Sequence, residues 1–578
     1  MQYGDVEVGS KSPSLSPVFG IVLGSLALCV CALWLCAHLP SQIRNDTAIF
    51  LYRQDRLLLF VESCLLLLSF IRLRHRDRPL DLPRSALLFM AFALVIVCYA
   101  GHEWILGGYD LSRDEQMAVF DSRIFSSGRL VQPLPPAWRG HTDALYTLYM
   151  LHASHPVAWV SGYLPMNATM RSLVGLFGDP ALTGPLMAAL GLIALWNCAR
   201  LIWPEDREAA IVALVLYVCS GQVLFNGMTA FAMPAHLSLD LVWLWLFLLR
   251  KRGADVAALV VGFVATGLHQ PLFHPLFVAP ILLTLVRDRS WQRLALYVAG
   301  YAAISGFWLA WPGWMHTLVA DSHSAPAADG TDYFSRLVST VSTGDPIRWP
   351  AMGANLLRFF AWQDALLLPL LLAAIPAMRR EPLPAALAAS FVLPACAMLV
   401  LLSYQGHGFG YRYLHGVLGA GILLAVYGWR HIVAGNSWMR PLLLRTALGA
   451  VLVVLPLQAW MANSWYAATG RLDRRVAASG ADYFIVGWED APFATALVWN
   501  RPDLSNRPIR LIAHYLDEPV IRNICHPGVR VALPTGNFLR PIETYYLVPY
   551  STTADERIAA LSPRLKAAGC TIDRLDGP

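Results

Sequence analysis

Two adjacent carboxylates, Asp114 and Glu115, lie in a polar stretch between apolar runs, at residues 102–180. They open what is predicted to be an amphipathic helix over 114–127, where the positive end of the helix dipole favours negative charge. An acid in this place is often an N-cap. A carboxylate in a partly desolvated cleft also has a raised pKa, which suits it to take a proton from a hydroxyl. The pair is therefore either a helix cap or a base.

Four cationic or titratable residues elsewhere could hold an anion. Arg412 and His407 lie in the polar turn QGHGFGYRYL, and His269 and His274 lie in GLHQPLFHPLF, which joins two apolar runs through two prolines. These segments are expected near a membrane surface. Each residue has a second interpretation, since a His at a helix end is often a capping or interfacial group and Arg412 could contact lipid phosphates.

Further charged residues accompany these candidates. Asp121, Arg123 and Arg129 fall on the predicted helix or at its end, and a solvated face is expected for them. Asp240 lies inside an apolar run, where a charge is costly and is expected to face a cavity or a partner.

The composition indicates that these residues belong to a membrane protein. The 578 residues are 56% hydrophobic and 14% charged, whereas about a quarter of the residues in soluble domains are charged. A helix crosses the hydrocarbon core with about 20 mostly apolar residues. We therefore predict an α-helical polytopic membrane protein of about 13 transmembrane helices. The candidate spans are 18–39, 57–71, 86–101, 181–199, 209–226, 235–249, 255–269, 272–286, 294–311, 363–378, 384–403, 413–429 and 443–463.

The formal net charge of +6 comes from short basic clusters in alternate connectors. The positive-inside rule places these connectors, and the N-terminus, in the cytoplasm. The connectors 102–180 and 312–362 and the tail 464–578 are then extracytoplasmic. Since the clusters act as topology signals, no nucleic-acid partner is expected. The cytoplasmic clusters include Arg72, Arg74, Arg76, Arg78, Arg84, Arg200, Arg207, Arg250, Lys251, Arg252, Arg287, Arg289, Arg293, Arg379, Arg380, Arg430, Arg440 and Arg445.

The composition changes again near residue 464. The segments YFIVGW, IRLIAHYL, VRVALP and TYYLVPY are typical of short strands, and DERIAALSPRLKAAG is typical of an amphipathic helix. A small extracytoplasmic α/β C-terminal domain is predicted. In an oxidising compartment, Cys525 and Cys570 could form one disulfide. The predicted organisation is N-terminal transmembrane helices at 1–101, the acidic loop at 102–180, a transmembrane core at 181–463 and this domain at 464–578.

Three motifs resemble the GT-C class of glycosyltransferases that use lipid-linked sugars, which includes protein O-mannosyltransferases and lipid A aminoarabinose transferases. Asp114-Glu115 followed by Phe125-Ser126-Ser127-Gly128-Arg129-Leu130 is similar to the D-E…F-x-x-G-R-L run of bacterial members. Ser161-Gly162-Tyr163-Leu164-Pro165 is similar to their S-K-Y-P-P segment, with Gly162 in place of the lysine. Gly410-Tyr411-Arg412-Tyr413-Leu414 is similar to their late G-x-R-Y-L turn.

The resemblance implies a fold, a reaction and roles for individual residues. It implies a GT-C-like enzyme of the plasma (inner) membrane that transfers a sugar from a polyprenyl-phosphate donor, with inversion, to an envelope glycan, lipid or protein acceptor. Asp114 would be the catalytic base, with Glu115 second. The expected substrate-binding residues are Arg412, His407, His269, His274, Tyr163 and Arg129.

Two other functions remain open on the sequence. A transporter or flippase of lipid-linked saccharide would also need many helices, and it would show inverted repeats and broken helices. A GT-C scaffold without catalysis would be a binding subunit, which agrees with the replacement of the lysine by Gly162. No P-loop, Gly-rich nucleotide fingerprint or HExxH occurs in a suitable context. We therefore expect no organic cofactor and no structural metal, although a divalent cation could take part.

Overall fold

The computed structural model describes residues 15–38, 46–71, 76, 78–83, 85–145, 149–321 and 348–577. Of the predicted basic cluster after the second span, Arg72, Arg74 and Arg84 lie outside the described residues. The same holds for residues 322–347 of the predicted outer connector 312–362.

Most of the described residues in the first half of the chain are helical. A π-turn at Leu51–Asp55 joins the second and third helices. The helices in this half are α1 (Leu15–His38), α2 (Asp46–Phe50), α3 (Arg56–Ser69), α4 (Ser85–Trp104), α5 (Arg113–Ser126), α6 (Met166–Gly175), α7 (Thr183–Ile202), α8 (Arg207–Val218), α9 (Gly221–Gly227), α10 (Met233–Leu248), α11 (Arg252–Thr266) and α12 (Phe273–Arg287).

The second half continues with helices and ends in a mixed region. A π-turn at Ala450–Val454 connects two helices into one continuous element, Met439–Ala477. The helices are α13 (Trp291–Val319), α14 (Arg348–Phe360), α15 (Leu367–Ala373), α16 (Ile375–Arg380), α17 (Pro382–Leu401), α18 (Leu418–Val433), α19 (Met439–Gly449), α20 (Leu455–Ala477), α21 (Glu518–Ile524), α22 (Gly536–Tyr545) and α23 (Thr553–Ala567).

Several helices have the length and composition of membrane spans. Within the described ranges, five are long and apolar enough to cross a bilayer, namely Ser85–Trp104, Pro180–Ile202, Trp291–Val319, Pro382–Leu401 and Met439–Ala477. A sixth is counted if α8 and α9, which are bent by 58°, form one span. Shorter apolar helices such as Met233–Leu248 and Leu418–Val433 pack among them. The chain is thus a multi-pass membrane protein, and its total of thirteen spans stays a prediction.

The break between α8 and α9 has a local cause. The predicted single span 209–226 stops at Val218, and the Ser220 hydroxyl then accepts a hydrogen bond from the Val223 amide at 3.2 Å. Because this N-cap satisfies a new helix start, the chain can begin α9 in a different direction.

Acidic residues of the connector 203–208 form ion pairs with basic residues at one end of the bundle. Arg430 donates to Asp206 at 2.7 Å, and Arg440 donates to Glu208 at 2.8 Å. This connector follows the C-terminal end of α7, a helix of 20 residues, which is about 30 Å long. The basic residues are therefore about 30 Å from the end of α7 that the loop 102–180 enters.

The C-terminal residues form a four-stranded parallel sheet with order β4-β3-β5-β6. Its strands are β3 (Tyr483–Val486), β4 (Ile509–Ile512), β5 (Arg530–Pro534) and β6 (Thr571–Leu575), and β1 (Gln132–Pro133) and β2 (Ala158–Trp159) pair in the loop. Tyr483 is opposite both Ile509 and Val531. The expectation of a strand in TYYLVPY is wrong, because these residues complete α22 and the turn after it, and TIDRL supplies the fourth strand instead.

The loop 102–180 and the C-terminal sheet share one hydrophobic core. Met117, Phe120 and Ile124 from α5 pack in the same cluster as Leu511 and Val531 from the sheet. The sheet therefore supports the helix that begins with the acidic pair.

Cys525 and Cys570 form the disulfide that the sequence allowed. We expect protein denatured without reductant to take up two fewer maleimide labels than reduced protein, with mass spectrometry assigning the difference to this pair. A Cys525→Ser, Cys570→Ser double variant should lose about 2–4 kcal/mol of stability. Since disulfides persist in oxidising compartments, two freely labelled thiols in protein from cells would contradict an extracytoplasmic tail.

Candidate active site around Asp114

The start of α5 separates the roles of the two adjacent acids. The Ser112 hydroxyl accepts from the Asp114 amide at 3.3 Å, and Glu115 Oε2 accepts from the Ser112 amide at 2.9 Å. This reciprocal arrangement is a capping box. Tyr466 Oη also donates to Glu115 Oε2, at 3.0 Å. Glu115 is therefore the capping acid, and the Ser-x-x-Glu spacing was visible in the sequence.

The Asp114 carboxylate takes no part in this cap. Tyr163 Oη donates to its Oδ1, and Arg412 Nη1 donates to its Oδ2. The Asp114 side chain is only 9% exposed, as is that of Arg412. Three predicted residues from three distant segments thus form one buried cluster.

Arg412 is held in this cluster from several sides. Its amide donates to Gln405 Oε1 at 3.1 Å, and its Nη2 donates to Tyr413 Oη at 3.2 Å. Its guanidinium carbon lies 5.4 Å from the centroid of the Phe231 ring. Its buried Nε has no hydrogen-bond partner among the described residues. One donor of the guanidinium is therefore unused.

A second buried ion pair fixes the turn that carries Arg412. Arg358 Nη1 donates to Asp55 Oδ1 at 2.9 Å, while other nitrogens of Arg358 donate to the carbonyls of Gly408 at 2.6 Å and Gly410 at 3.1 Å. Gly410 has φ +65°, and a Cβ there would collide with the Gln222 side chain. This glycine is required both by its backbone conformation and by the close approach of α9.

The ion pair reverses the expected electrostatics of the candidate base. Burial is the largest single influence and raises the pKa of the Asp114 carboxyl, but the Arg412 guanidinium, His269 and the Tyr163 hydroxyl together outweigh it. The pKa is consequently lowered to about 2. The expectation of a raised pKa is wrong for this state, because it considered desolvation without the arginine partner.

Two neighbouring acids show the opposite shift. Burial, with the charge of Asp110, raises the pKa of Glu115 to about 8. Burial also raises the pKa of Asp121 to about 7, although hydrogen bonds from the Ser161 amide (3.0 Å) and hydroxyl (2.5 Å) oppose it. Asp121 is 3% exposed, so the expected solvated position is wrong. It instead anchors the segment that carries Tyr163 to α5.

The predicted histidines divide into two groups. The His269 ring lies 4.3 Å from the Tyr163 ring, and neither of its buried nitrogens has a hydrogen-bond partner among the described residues. His407 bonds through Nε2 to Tyr546 Oη at 3.0 Å. His274 is fully buried and uses both nitrogens, with Asp240 at 2.5 Å and Tyr301 at 2.8 Å. The structure brings His269, but not His274, to the Asp114 cluster.

One histidine of this region was not singled out from the sequence. His236, on α10, is buried, and within the described residues neither of its ring nitrogens has a hydrogen-bond partner. It lines a small cavity together with Arg412 and Asp240. No spacing rule marks it, because only the packing of α10 against the Arg412 turn brings them together.

Arg129 is not brought to the cluster. It is exposed, and its Nη1 lies 3.5 Å from Gln132 Oε1. It follows the far end of α5, about 20 Å from Asp114 at 1.5 Å per helical residue. Its predicted role in substrate binding therefore has no geometric support from the Asp114 cluster.

Across the described ranges, no group of three or more His, Cys, Asp or Glu side chains is arranged so that it could hold a metal ion.

Solved structures of known proteins are similar to this chain at low sequence identity. No family model matches the chain, and no curated protein matches its sequence. Among solved structures, ArnT from Cupriavidus metallidurans, an aminoarabinose transferase, is similar in its undecaprenyl phosphate-bound form, with 13% identity, a TM-score of 0.46 and coverage of 83% of this chain and 89% of that chain. The apo form has 14% identity, a TM-score of 0.45 and coverage of 83% and 94%.

The role of Glu115 as a cap can be tested by Glu115→Gln, because glutamine also completes a capping box. Folded-state Glu115 keeps its proton up to about pH 8, whereas an ordinary glutamate releases it near 4.5. Because the folded form binds this proton more tightly than the unfolded chain does, the free energy of unfolding falls as the pH rises from about 4.5 to about 8. We expect the Tm of the variant to fall less from pH 5 to pH 8 than that of the parent protein.

The exposed Glu205→Gln is the matched control for this measurement. It should leave the pH dependence of the Tm unchanged. An equal effect of both substitutions would show that the Glu115 carboxyl does not titrate with the raised pKa.

Proposed function

We propose that the chain is an inverting glycosyltransferase that moves a sugar from a polyprenyl-phosphate carrier to a cell-envelope acceptor on the extracytoplasmic side of the membrane. The observation that carries this proposal is the convergence of Asp114, Tyr163 and Arg412. Each belongs to a different one of the three motifs that resemble GT-C enzymes, and their side chains touch in one buried cluster.

The cluster contains the groups that the transfer needs. The acceptor oxygen attacks the anomeric carbon while the bond from that carbon to the phosphate oxygen breaks. The acceptor proton passes to the Asp114 carboxylate, and the polyprenyl phosphate leaves with the bonding electrons. Arg412 stabilises the negative charge of this leaving phosphate, and Tyr163 positions the carboxylate.

The Asp114–Arg412 pair implies an order of events. A carboxylate whose pKa is about 2 is a weak base at neutral pH. A donor phosphate competes for the guanidinium, since Arg binds phosphate as well as carboxylate through paired hydrogen bonds. Once Arg412 turns to the phosphate, burial raises the pKa of Asp114 and makes it a stronger base. Donor binding thereby activates the base.

His269 fits the donor side of this site. Its ring packs on Tyr163, and its two buried nitrogens have no partner within the described part of the chain. Such unsatisfied groups are costly unless a ligand or water meets them. We assign His269 a contact with the donor phosphate or its sugar, in the region where relatives carry the lysine that Gly162 replaces.

Glu115 is assigned a positioning role. It completes the cap that orients the first turn of α5, and its raised pKa leaves it protonated near neutral pH. It therefore cannot act as the second base under these conditions, although it holds Asp114 in place.

The role of Asp114 as the base can be tested by removing its charge. We expect Asp114→Asn, which is nearly isosteric, to reduce sugar transfer by about 10²–10⁴-fold, the usual contribution of a general base. The measurement is mass-spectrometric detection of transfer from defined polyprenyl-phosphate sugars in nanodiscs. Glu115→Gln is the matched control and should retain most activity. Unchanged transfer by Asp114→Asn would remove Asp114 as the base, and no transfer by the parent protein would replace the enzyme proposal with a scaffold or a transporter.

The acid limbs of kcat and kcat/KM should lie at different pH values. The acid limb of kcat/KM reports the free enzyme, in which the pKa of Asp114 is about 2, and the limb of kcat reports the donor complex. If donor binding moves Arg412 away from Asp114, the pKa of the carboxyl is higher in the donor complex than in the free enzyme. On acidification, kcat must then fall at a higher pH than kcat/KM. Coincident limbs would contradict this order of events. In Arg412→Gln the two limbs should coincide, because the pKa of the free carboxyl is already raised.

A further inference from the structure

A second cleft lies beside α5, between the loop 102–180 and the segment 498–500. Its volume is about 160 Å³, and its walls come from α5, the loop, α20 and the segment 498–500. An engineered cavity of about 150 Å³ in another protein holds a benzene ring. The cleft therefore has room for one six-membered ring, and the proposed transfer chemistry does not use it.

Aromatic side chains line this cleft with their polar atoms already satisfied. Tyr109 Oη donates to the Ala496 carbonyl at 2.9 Å, and Trp499 Nε1 donates to Asp473 Oδ1 at 2.8 Å. Trp159 Nε1 donates to a main-chain carbonyl at 2.9 Å. Since these bonds are internal, the cleft presents mainly the apolar surfaces of the rings.

Polar groups of both signs accompany the rings. Asp110 and Asp473 line the cleft opposite Arg113 and Arg123, so the charges balance and do not favour a phosphate. Arg123 forms no hydrogen bond or ion pair among the described residues, and its guanidinium carbon lies 5.9 Å from the Trp499 ring centroid. Asp110 Oδ1 is buried and has no hydrogen-bond partner in the described part of the chain. One donor group and one acceptor atom are thus unused.

We propose that this cleft binds one pyranose ring of a glycan acceptor. The C–H faces of a pyranose suit the apolar aromatic surfaces, and its hydroxyls both donate and accept hydrogen bonds. The hydroxyls would accept from Arg123 and donate to Asp110. This inference rests on the proposed function, because it narrows the acceptor from a glycan, lipid or protein to a saccharide.

The position of the cleft relative to Asp114 fits an acceptor of more than one sugar. Consecutive residues of a helix point about 100° apart, and Arg113 lines the cleft while Asp114 faces Tyr163 and Arg412. Met150 also lines the cleft, and the preceding residue, Tyr149, stacks on Tyr163 with ring centroids 5.6 Å apart. A sugar held in the cleft thus leaves a neighbouring unit close to the carboxylate.

Saturation-transfer NMR on the full chain in nanodiscs tests this site. The probes are methyl β-glucopyranoside, methyl α-mannopyranoside and methyl N-acetyl-β-glucosaminide, with tetra-alanine as a peptide probe. We expect transfer to the ring protons of at least one glycoside and its loss in Val119→Trp, which fills the cleft. Ser126→Trp places the same side chain at an exposed position of α5 outside the cleft and should leave the transfer unchanged.

A second variant guards against misfolding of Val119→Trp. Arg123→Ala removes only an exposed donor and should also weaken glycoside transfer, with an unchanged Tm. The inference is overturned if no glycoside binds, if only tetra-alanine binds, or if the cleft variants behave like Ser126→Trp.

The saccharide site and the proposed function can each fail without the other. Asp114→Asn should still bind glycosides in the cleft while it loses sugar transfer. Glycoside binding without any sugar transfer by the parent protein would overturn the enzyme proposal and leave a saccharide-binding site. Loss of transfer in Asp114→Asn, without glycoside binding in the parent protein, would support the enzyme proposal and overturn the saccharide site in the cleft.

Discussion

The buried pairing of Asp114 with Arg412 is the interaction around which the candidate site is organised. Each ion costs several kcal/mol to bury unless a partner of good geometry compensates. Two separate frameworks supply that geometry. The Ser112–Glu115 cap orients the carboxylate, and the Arg358 bonds to two glycine carbonyls hold the turn of the guanidinium. Neither framework alone would place the pair.

The same pairing gives the site two electrostatic states. In the structure, the carboxylate and the guanidinium neutralise each other, which stabilises the closed cluster. An anionic ligand that draws the guanidinium away would leave a buried carboxylate whose pKa rises, because burial then acts without the opposing charge of the arginine. His269 and His236, with unsatisfied nitrogens near this point, are suited to meet the ligand. In the proposed transfer, donor binding and proton transfer would thereby be linked through one arginine.

The C-terminal sheet contributes to the site through packing. Its strands share a hydrophobic core with α5, and the residues around Trp499 close one side of the aromatic cleft. If the proposed acceptor binds in this cleft, the segment 498–500 would couple acceptor recognition to the position of Asp114.

The sequence by itself determined what depends on local composition and short spacing. Apolar runs predicted the helices, the residues after 464 predicted three of the four parallel strands, and motif resemblance marked Asp114, Tyr163 and Arg412. The tertiary structure decided which groups touch, because contacts between Asp114 and Arg412 span 298 residues of chain. The low pKa of Asp114, the burial of Asp121 and the unpartnered His236 all follow from such contacts. Hydropathy and spacing carry no information about them, since an electrostatic environment is set by neighbours in space.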